Sequence, residues 1–194
     1  CMHLRNGTKM GDTQMIDTMI KDGLWDAFNG YHMGTTAENV AQKWQITREA
    51  QDQLALGSQN KAEAAQKAGH LAREITPVTI AQKKGDPVVV EKDEHPRETS
   101  LEKLSSLKGV VKPDGSVTAA NASPINDGAL AAFIANSAGV QRLGVEPLGR
   151  IVASTTVGVE PDEFAVAPVP AIRALLARTG LSADDIALWE INEA

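Results

Sequence analysis

The sequence contains a single cysteine, Cys1, so no internal disulfide can form. That fits a reducing compartment, and the expected location is cytoplasmic. Aromatic residues are scarce at 4%; with Ala and Gly plentiful, packing is expected to be close and built on small side chains. No apolar run approaches the length of a membrane span, and no signal-peptide pattern is present, so no membrane partner is expected. There is no internal repeat and no low-complexity tract. An excess of positive charge is also missing. The formal net charge of −6 argues against a nucleic-acid partner, whose phosphates require a basic face.

What is present is the composition of an ordinary globular chain, 42% hydrophobic and 23% charged over 194 residues, long enough for one large domain or two small ones. It starts at Cys1 and stops at Ile191-Asn192-Glu193-Ala194, directly after an apparent buried strand, and reads as an internal piece of a longer protein. Residues 1–34 are irregular and hold all five methionines, with a short helix or turn suggested by Met15, Met19, Ile20 and Leu24. Thr35-Thr36-Ala37-Glu38 has capping-box spacing and predicts a helix to about Trp44. Thr47 caps a second, from about Arg48 to Ala68, ending at Gly69, with Leu54, Ser58, Ala62 and Ala65 on its inner face. Ile75–Ile80 and Val88–Val90 around Lys83-Lys84-Gly85-Asp86 predict a hairpin, and a short helix follows near Leu101–Leu107.

The stretch Gly115–Leu130 organises the rest. Ser116–Thr118 reads as a short strand, Ala119–Ser123 as five small or polar residues, and Asn126-Asp127-Gly128 as the cap of a buried helix over about 127–142. Small side chains at a strand-to-helix crossing suit either a tight crossover turn or close approach of a ligand to the backbone. Gly144 ends that helix. Arg150–Val159 and Ala187–Ile191 then read as core strands around a helix at Pro168–Arg178, which makes the last third one βαβ unit.

These motifs, in this order, resemble the thiolases across the whole chain. The stretches that carry the likeness are Met10-Gly11-Asp12, Asp17 to Leu24, Tyr31 to Ala41, Ser58 to Ala62, Asp93 to Arg97, Gly115 to Leu130, Pro147 to Ile151 and Asn192-Glu193-Ala194. Within the family the likeness is to the biosynthetic acetyl-CoA acetyltransferases. The resemblance implies an α/β fold of layered βαβαβ halves with an inserted α+β loop domain, only partly covered by this chain. Residues 1–125 resemble the coenzyme A-binding loop domain, with a tetramerisation segment at its start. Residues 126–147 resemble the end of the N-terminal core domain, and 148–194 the start of the C-terminal one.

The implied reaction is Claisen condensation of two acetyl-CoA to acetoacetyl-CoA, or the reverse thiolysis, in fatty acid or polyhydroxybutyrate metabolism. It needs no cofactor and no metal beyond the coenzyme A thioester substrate, and the implied assembly is a homotetramer. Such chemistry uses a cysteine nucleophile, a second cysteine that moves a proton, and hydrogen-bond donors for the thioester oxygens. The family's nucleophile, its second cysteine and its histidine fall outside these 194 residues. By motif Cys1 falls at the loop-domain entrance, not at the family's catalytic cysteine, and is not expected to be the nucleophile.

The resemblance makes Asn192 the catalytic asparagine, holding a water in an oxyanion hole; without it, an Asn after a strand reads as a turn former. It places Leu24, His32, Met33, Ala119 and Ser123 along the pantetheine arm and Arg97 near the nucleotide. A lone His beside apolar residues is otherwise a packing residue, and an exposed Arg a solvated charge. The chain departs from the family's pattern at Ala120, Pro124, Ala165 and Ala167, where glycine is usual. A catalytically inactive module that holds acyl-CoA or lipid, or an oligomer scaffold, are the competing function classes.

Overall fold

The computed structural model describes Gly7, Met10, Asp12 and residues 14–193. The expectations for Cys1, Gly11 and Ala194, and most of the tetramerisation segment, lie outside the described residues. The first regular element is one π-helical turn, Met19–Leu24, started by the Asp17 carboxylate, which accepts from the Met19 N–H at 2.9 Å. It leads into an antiparallel hairpin of β1 (Trp25–Asp26) and β2 (Tyr31–His32), paired Trp25↔His32 and Asp26↔Tyr31. Asp26 closes that turn, accepting from the backbone N–H groups of Phe28 and Asn29 and from the Asn29 side chain.

Helices α1 (Met33–Lys43) and α2 (Arg48–Lys67) follow. The first begins two residues before the expected capping box. His32 is its N-cap, and the ring Nδ1 accepts from the Gly34 N–H at 2.9 Å, doing what an Asp or Ser oxygen does at most helix starts. Glu38 is thereby free of its own helix start and binds a distant segment instead. Helix α2 matches its sequence signals: Thr47 Oγ1 accepts from the Ala50 N–H, and Gly69 follows the end at φ +73°. Its expected inner face is only half-buried at Ser58, Ala62 and Ala65, and Leu54 is exposed; the side chain that α2 buries is Asp52.

The hairpin of β3 (Val78–Ile80) and β4 (Val88–Val90) forms as expected, with Val78 opposite Val90. Helix α3 (Leu101–Ser105) is capped by Ser100 and packs on α2. The expected strand at Ser116–Thr118 is reduced to one bridge, Gly109↔Thr118, with the Val110 N–H donating to the Val117 carbonyl. Among the described residues Val40, Leu104 and Val117 are the buried apolar side chains, beside fully buried Thr36 and Thr118, so the core lies where α1, α3 and this bridge meet.

Beyond residue 123 three expectations are corrected. Residues 124–136 have no regular secondary structure, and only Ser137–Leu143 is helical (α4), capped by Asn136 rather than by Asn126-Asp127-Gly128. Leu130 and Phe133 are 93% and 102% exposed. A helix that is apolar all round is held by what surrounds it, and a short one is marginal in water by itself. Residues 150–159 form no ladder; Ala153, Thr155, Val157 and Val159 are half-buried between exposed neighbours, which is a strand's alternation without a partner. Residues 187–191 form none either, so of the βαβ unit only helix α5 (Pro168–Thr179) stands, with Pro at its first position and Gly180 at φ +71° past its end. The preceding turn, Pro161–Val166, packs on α1, and Glu163 pairs with Lys43 there. Among the described residues no helix is long and apolar enough to cross a membrane.

Candidate functional site: a loop held by two buried carboxylates

The loop Gly115–Ser123 is built from behind. Glu38, 8% exposed on α1, accepts from the Ser116 N–H, the Ser116 hydroxyl and the Val117 N–H, each at 2.9 Å. These bonds substitute for the ladder that the short bridge cannot supply. Burial pushes the Glu38 carboxyl up, but the hydrogen bonds from Val117 and Ser116, with the charge of Lys112, outweigh it and hold it below the ordinary glutamate range. Gly115 is required by the same contact, because a Cβ there would collide with the Glu38 carboxylate.

The second carboxylate comes from α2. Asp52 is 3% exposed; one oxygen accepts from Arg48 Nε at 2.8 Å and the other from Asn121 Nδ2 at 3.3 Å. Arg48 is fixed in turn by the carbonyls at the end of α3, donating to Leu104 at 2.7 Å and to Leu107 at 3.1 Å. Within the loop Asn121 accepts from the Thr118 N–H at 2.7 Å and donates to the Ser116 carbonyl at 3.0 Å. The loop is therefore folded on its own side chain. Its front edge is open, with Ala119 and Ser123 exposed.

The residues expected at the site fall into two groups. Leu24 precedes Trp25, the strand partner of His32, so Leu24, His32 and Met33 sit together at the start of α1, half-buried. The same helix carries Glu38, which holds the segment leading into Ala119 and Ser123. Arg97 and Asn192 are tied instead to the middle of α2. The Arg97 N–H donates to Gln59 Oε1 at 2.7 Å, and Ser58 donates to the carboxylate of Glu193, next to Asn192, at 2.6 Å. Both Arg97 and Asn192 are exposed. A groove of about 560 Å³ lies on the back of the loop, lined by Glu38, Gln42, Gln45, Lys112 and Asp114 among others; none of the expected site residues lines it.

Three of these determinants escaped the sequence reading. Glu38 satisfied a local capping pattern, and nothing in the sequence marks Asp52 and Arg48, an i,i+4 pair on α2, as buried. Helical periodicity gave no signal for Glu38: Thr36 and Val40 share a face at i,i+4 spacing, whereas Glu38 lies on the other side of α1 and is covered by the Ser116–Val117 segment. The departures from the glycine pattern are accommodated without backbone strain: Gln45 is the only non-glycine at positive φ among the described residues, so Ala120, Pro124, Ala165 and Ala167 all lie outside the left-handed region.

Comparison with known proteins agrees with this architecture. The family model described as "Thiolase, N-terminal domain" matches residues 1–138, and "Thiolase, C-terminal domain" matches 145–194. The acetyl-CoA acetyltransferase of Rhizobium meliloti (strain 1021) is 55% identical over 195 residues, covering 100% of this chain and 49% of the relative. The cytosolic acetyl-CoA acetyltransferase of Mus musculus is 50% identical over 195 residues, covering 99% and 49%. The structure of acetyl-CoA acetyltransferase from Syntrophomonas wolfei superposes with a TM-score of 0.88 at 41% identity, over 98% of this chain and 48% of that one. The chain thus spans about half the length of the curated relatives it matches, and its fold is the corresponding part of their α/β architecture. With two successive family models accounting for nearly every residue, the chain belongs to the thiolase family.

Proposed function

We propose that the chain is part of an acetyl-CoA C-acetyltransferase that condenses two acetyl-CoA to acetoacetyl-CoA or runs the reverse thiolysis. The observation that carries this reading is likeness over the full chain to relatives named acetyl-CoA acetyltransferase, at 50–55% identity. The geometry supports it. A small-residue loop, rigid behind and open in front, suits a flexible thioester arm laid along its backbone. In this reading residues 1–125 are the loop domain, 126–147 close the N-terminal core domain and 148–194 open the C-terminal one. Leu24, His32 and Met33 face Ala119 and Ser123 across the pantetheine arm, with Ser123 bonded to an amide of it. Arg97 meets the nucleotide end. Asn192 holds a water against a thioester oxygen as negative charge develops there. The working protein is a cytoplasmic homotetramer paired through the segment 1–16, active in fatty acid or polyhydroxybutyrate metabolism; it takes no further cofactor.

The test uses the complete protein. Asn192→Ala is expected to lower thiolysis of acetoacetyl-CoA by about 10²–10³-fold, the usual loss on removing one oxyanion-hole donor. Ser123→Trp is expected to abolish coenzyme A binding in calorimetry while circular dichroism stays native. If Ser123→Trp binds coenzyme A as wild type does, the loop is a packed crossover and the reading fails.

A further inference from the structure

Asp52 lies well behind the open edge of the loop, on a helix that starts 67 residues before the loop does. Nothing local demands a buried carboxylate there. An apolar side chain of similar size would fill the space between α2 and α3 at no desolvation cost. What the carboxylate does is divide its two oxygens. One binds Arg48 Nε at 2.8 Å, and the other reaches Asn121 Nδ2 at 3.3 Å, across 69 residues of sequence. Among the described residues, Asp52 is the only hydrogen-bond partner of the Asn121 side chain outside the loop itself.

Asn121 is the residue on which the loop is folded. Its amide oxygen takes the Thr118 N–H at 2.7 Å, its amide nitrogen gives to the Ser116 carbonyl at 3.0 Å, and the Ala122 N–H returns to the Thr118 carbonyl at 2.9 Å. Ala119, Ala120 and Ala122 contribute no polar side chain, so the course of the backbone from 119 to 123 is set by this one amide and by the Thr118 hydroxyl, to which the Ala120 and Asn121 N–H groups donate at 3.3 and 3.4 Å. An unbroken chain therefore runs from the last carbonyls of α3 through Arg48, Asp52 and Asn121 to the open edge.

We propose that Asp52 is a positioning residue for the thioester ligand: acting through Asn121, it holds the Ala119–Ser123 backbone in the conformation that accepts the pantetheine arm of coenzyme A. It rests on the ligand reading of the same loop. Asp52 touches no ligand, and its effect is on affinity, because a loop that must be ordered at the moment of binding spends part of the interaction on that ordering.

The experiment titrates coenzyme A into the complete protein by calorimetry, well below the melting temperature. Asp52→Ala is expected to weaken binding about tenfold, the scale of one lost charge-assisted hydrogen bond. Asn121→Ala is expected to weaken it as much, and the double variant no more than Asn121→Ala alone, since both act on one contact. Gly180→Ala, which strains the φ +71° end of α5 away from the loop, is expected to lower the melting temperature and leave the dissociation constant within about twofold. Should Asp52→Ala not fold, Asp52→Asn keeps the volume but sets an amide donor against Arg48 or against Asn121; it is expected to weaken binding about threefold. Wild-type affinity in the folded Asp52 variant, or losses that add in the double variant, would overturn the positioning role. A complete wild-type protein that binds no coenzyme A would overturn the ligand reading and this inference together.

Discussion

Glu38 shows how one side chain can substitute for a strand. Its carboxylate takes three donors from residues 116 and 117, so removing it strands two backbone N–H groups close to the core. Glu38→Ala is expected to cost about 1–3 kcal/mol in urea unfolding of the complete protein. The sign of its pH dependence follows from the shift. The folded carboxyl sits below the ordinary glutamate value, so its contribution is full above that value and is lost as pH falls through the depressed one. Glu38→Gln should therefore make the acid limb of melting temperature against pH less steep. A residual slope is expected from Asp26, lowered first by the Asn29 side chain, and from Asp185, lowered first by the Ser182 N–H. An acid limb as steep in Glu38→Gln as in wild type would show that the carboxylate is not held as described. Gly115→Ala tests the same contact from the other side. Its Cβ collides with the Glu38 carboxylate, so the combined loss in Gly115→Ala/Glu38→Ala should be smaller than the two single losses added.

Among the elements, those whose signals are local were legible in the sequence. The Thr47 cap, the Gly69 stop and the valines around Lys83-Lys84-Gly85-Asp86 fixed α2 and the β3–β4 hairpin. Helix α1 was found but started late, because a histidine ring nitrogen is seldom a cap and Glu38 satisfied the local pattern while bonding elsewhere. The motif residues around the loop were legible too. The groups that hold them were not, since Asp52 and Asn121 meet across 69 residues and nothing in either neighbourhood announces the other. The apolar segments 127–142, 150–159 and 187–191 failed for a different reason. Their sequences carry the right periodicity, but a period states only which face wants cover, and no described element covers these. The expected outcome is a difference between two proteins: amides of residues 127–142 should exchange with solvent within seconds to minutes in the 194-residue chain and be strongly protected in the complete protein. Equal exchange in both would mean that the irregular course of residues 124–136 belongs to the complete fold.

At the scale of the whole molecule the surface area is decisive. The chain exposes 16560 Å². A folded monomer of 20.6 kDa exposes about 8,900 Å² by the usual scaling of surface with mass. Exposed large apolar side chains run along the whole chain, from Met15, Phe28 and Leu54 before the loop to Leu130, Phe133, Leu148 and Leu188 beyond it, whereas the buried apolar side chains among the described residues are Val40, Leu104 and, within the loop, Val117. So small a core cannot offset the ordering entropy of the full length, and cooperativity is confined to the assembly of α1, α2, α3 and the loop. Expressed by itself, the 194-residue chain should bind an apolar dye such as anilinonaphthalene sulfonate and show a broad calorimetric transition smaller than its length implies. A single sharp transition of full enthalpy without dye binding would contradict the area argument. The same chain should show no thiolysis of acetoacetyl-CoA, because the resemblance places the nucleophile, the second cysteine and the histidine outside these residues, and a site without them has neither an acyl acceptor nor a proton carrier. Turnover by the isolated chain that disappears on Cys1→Ala would overturn that placement and make Cys1 the nucleophile.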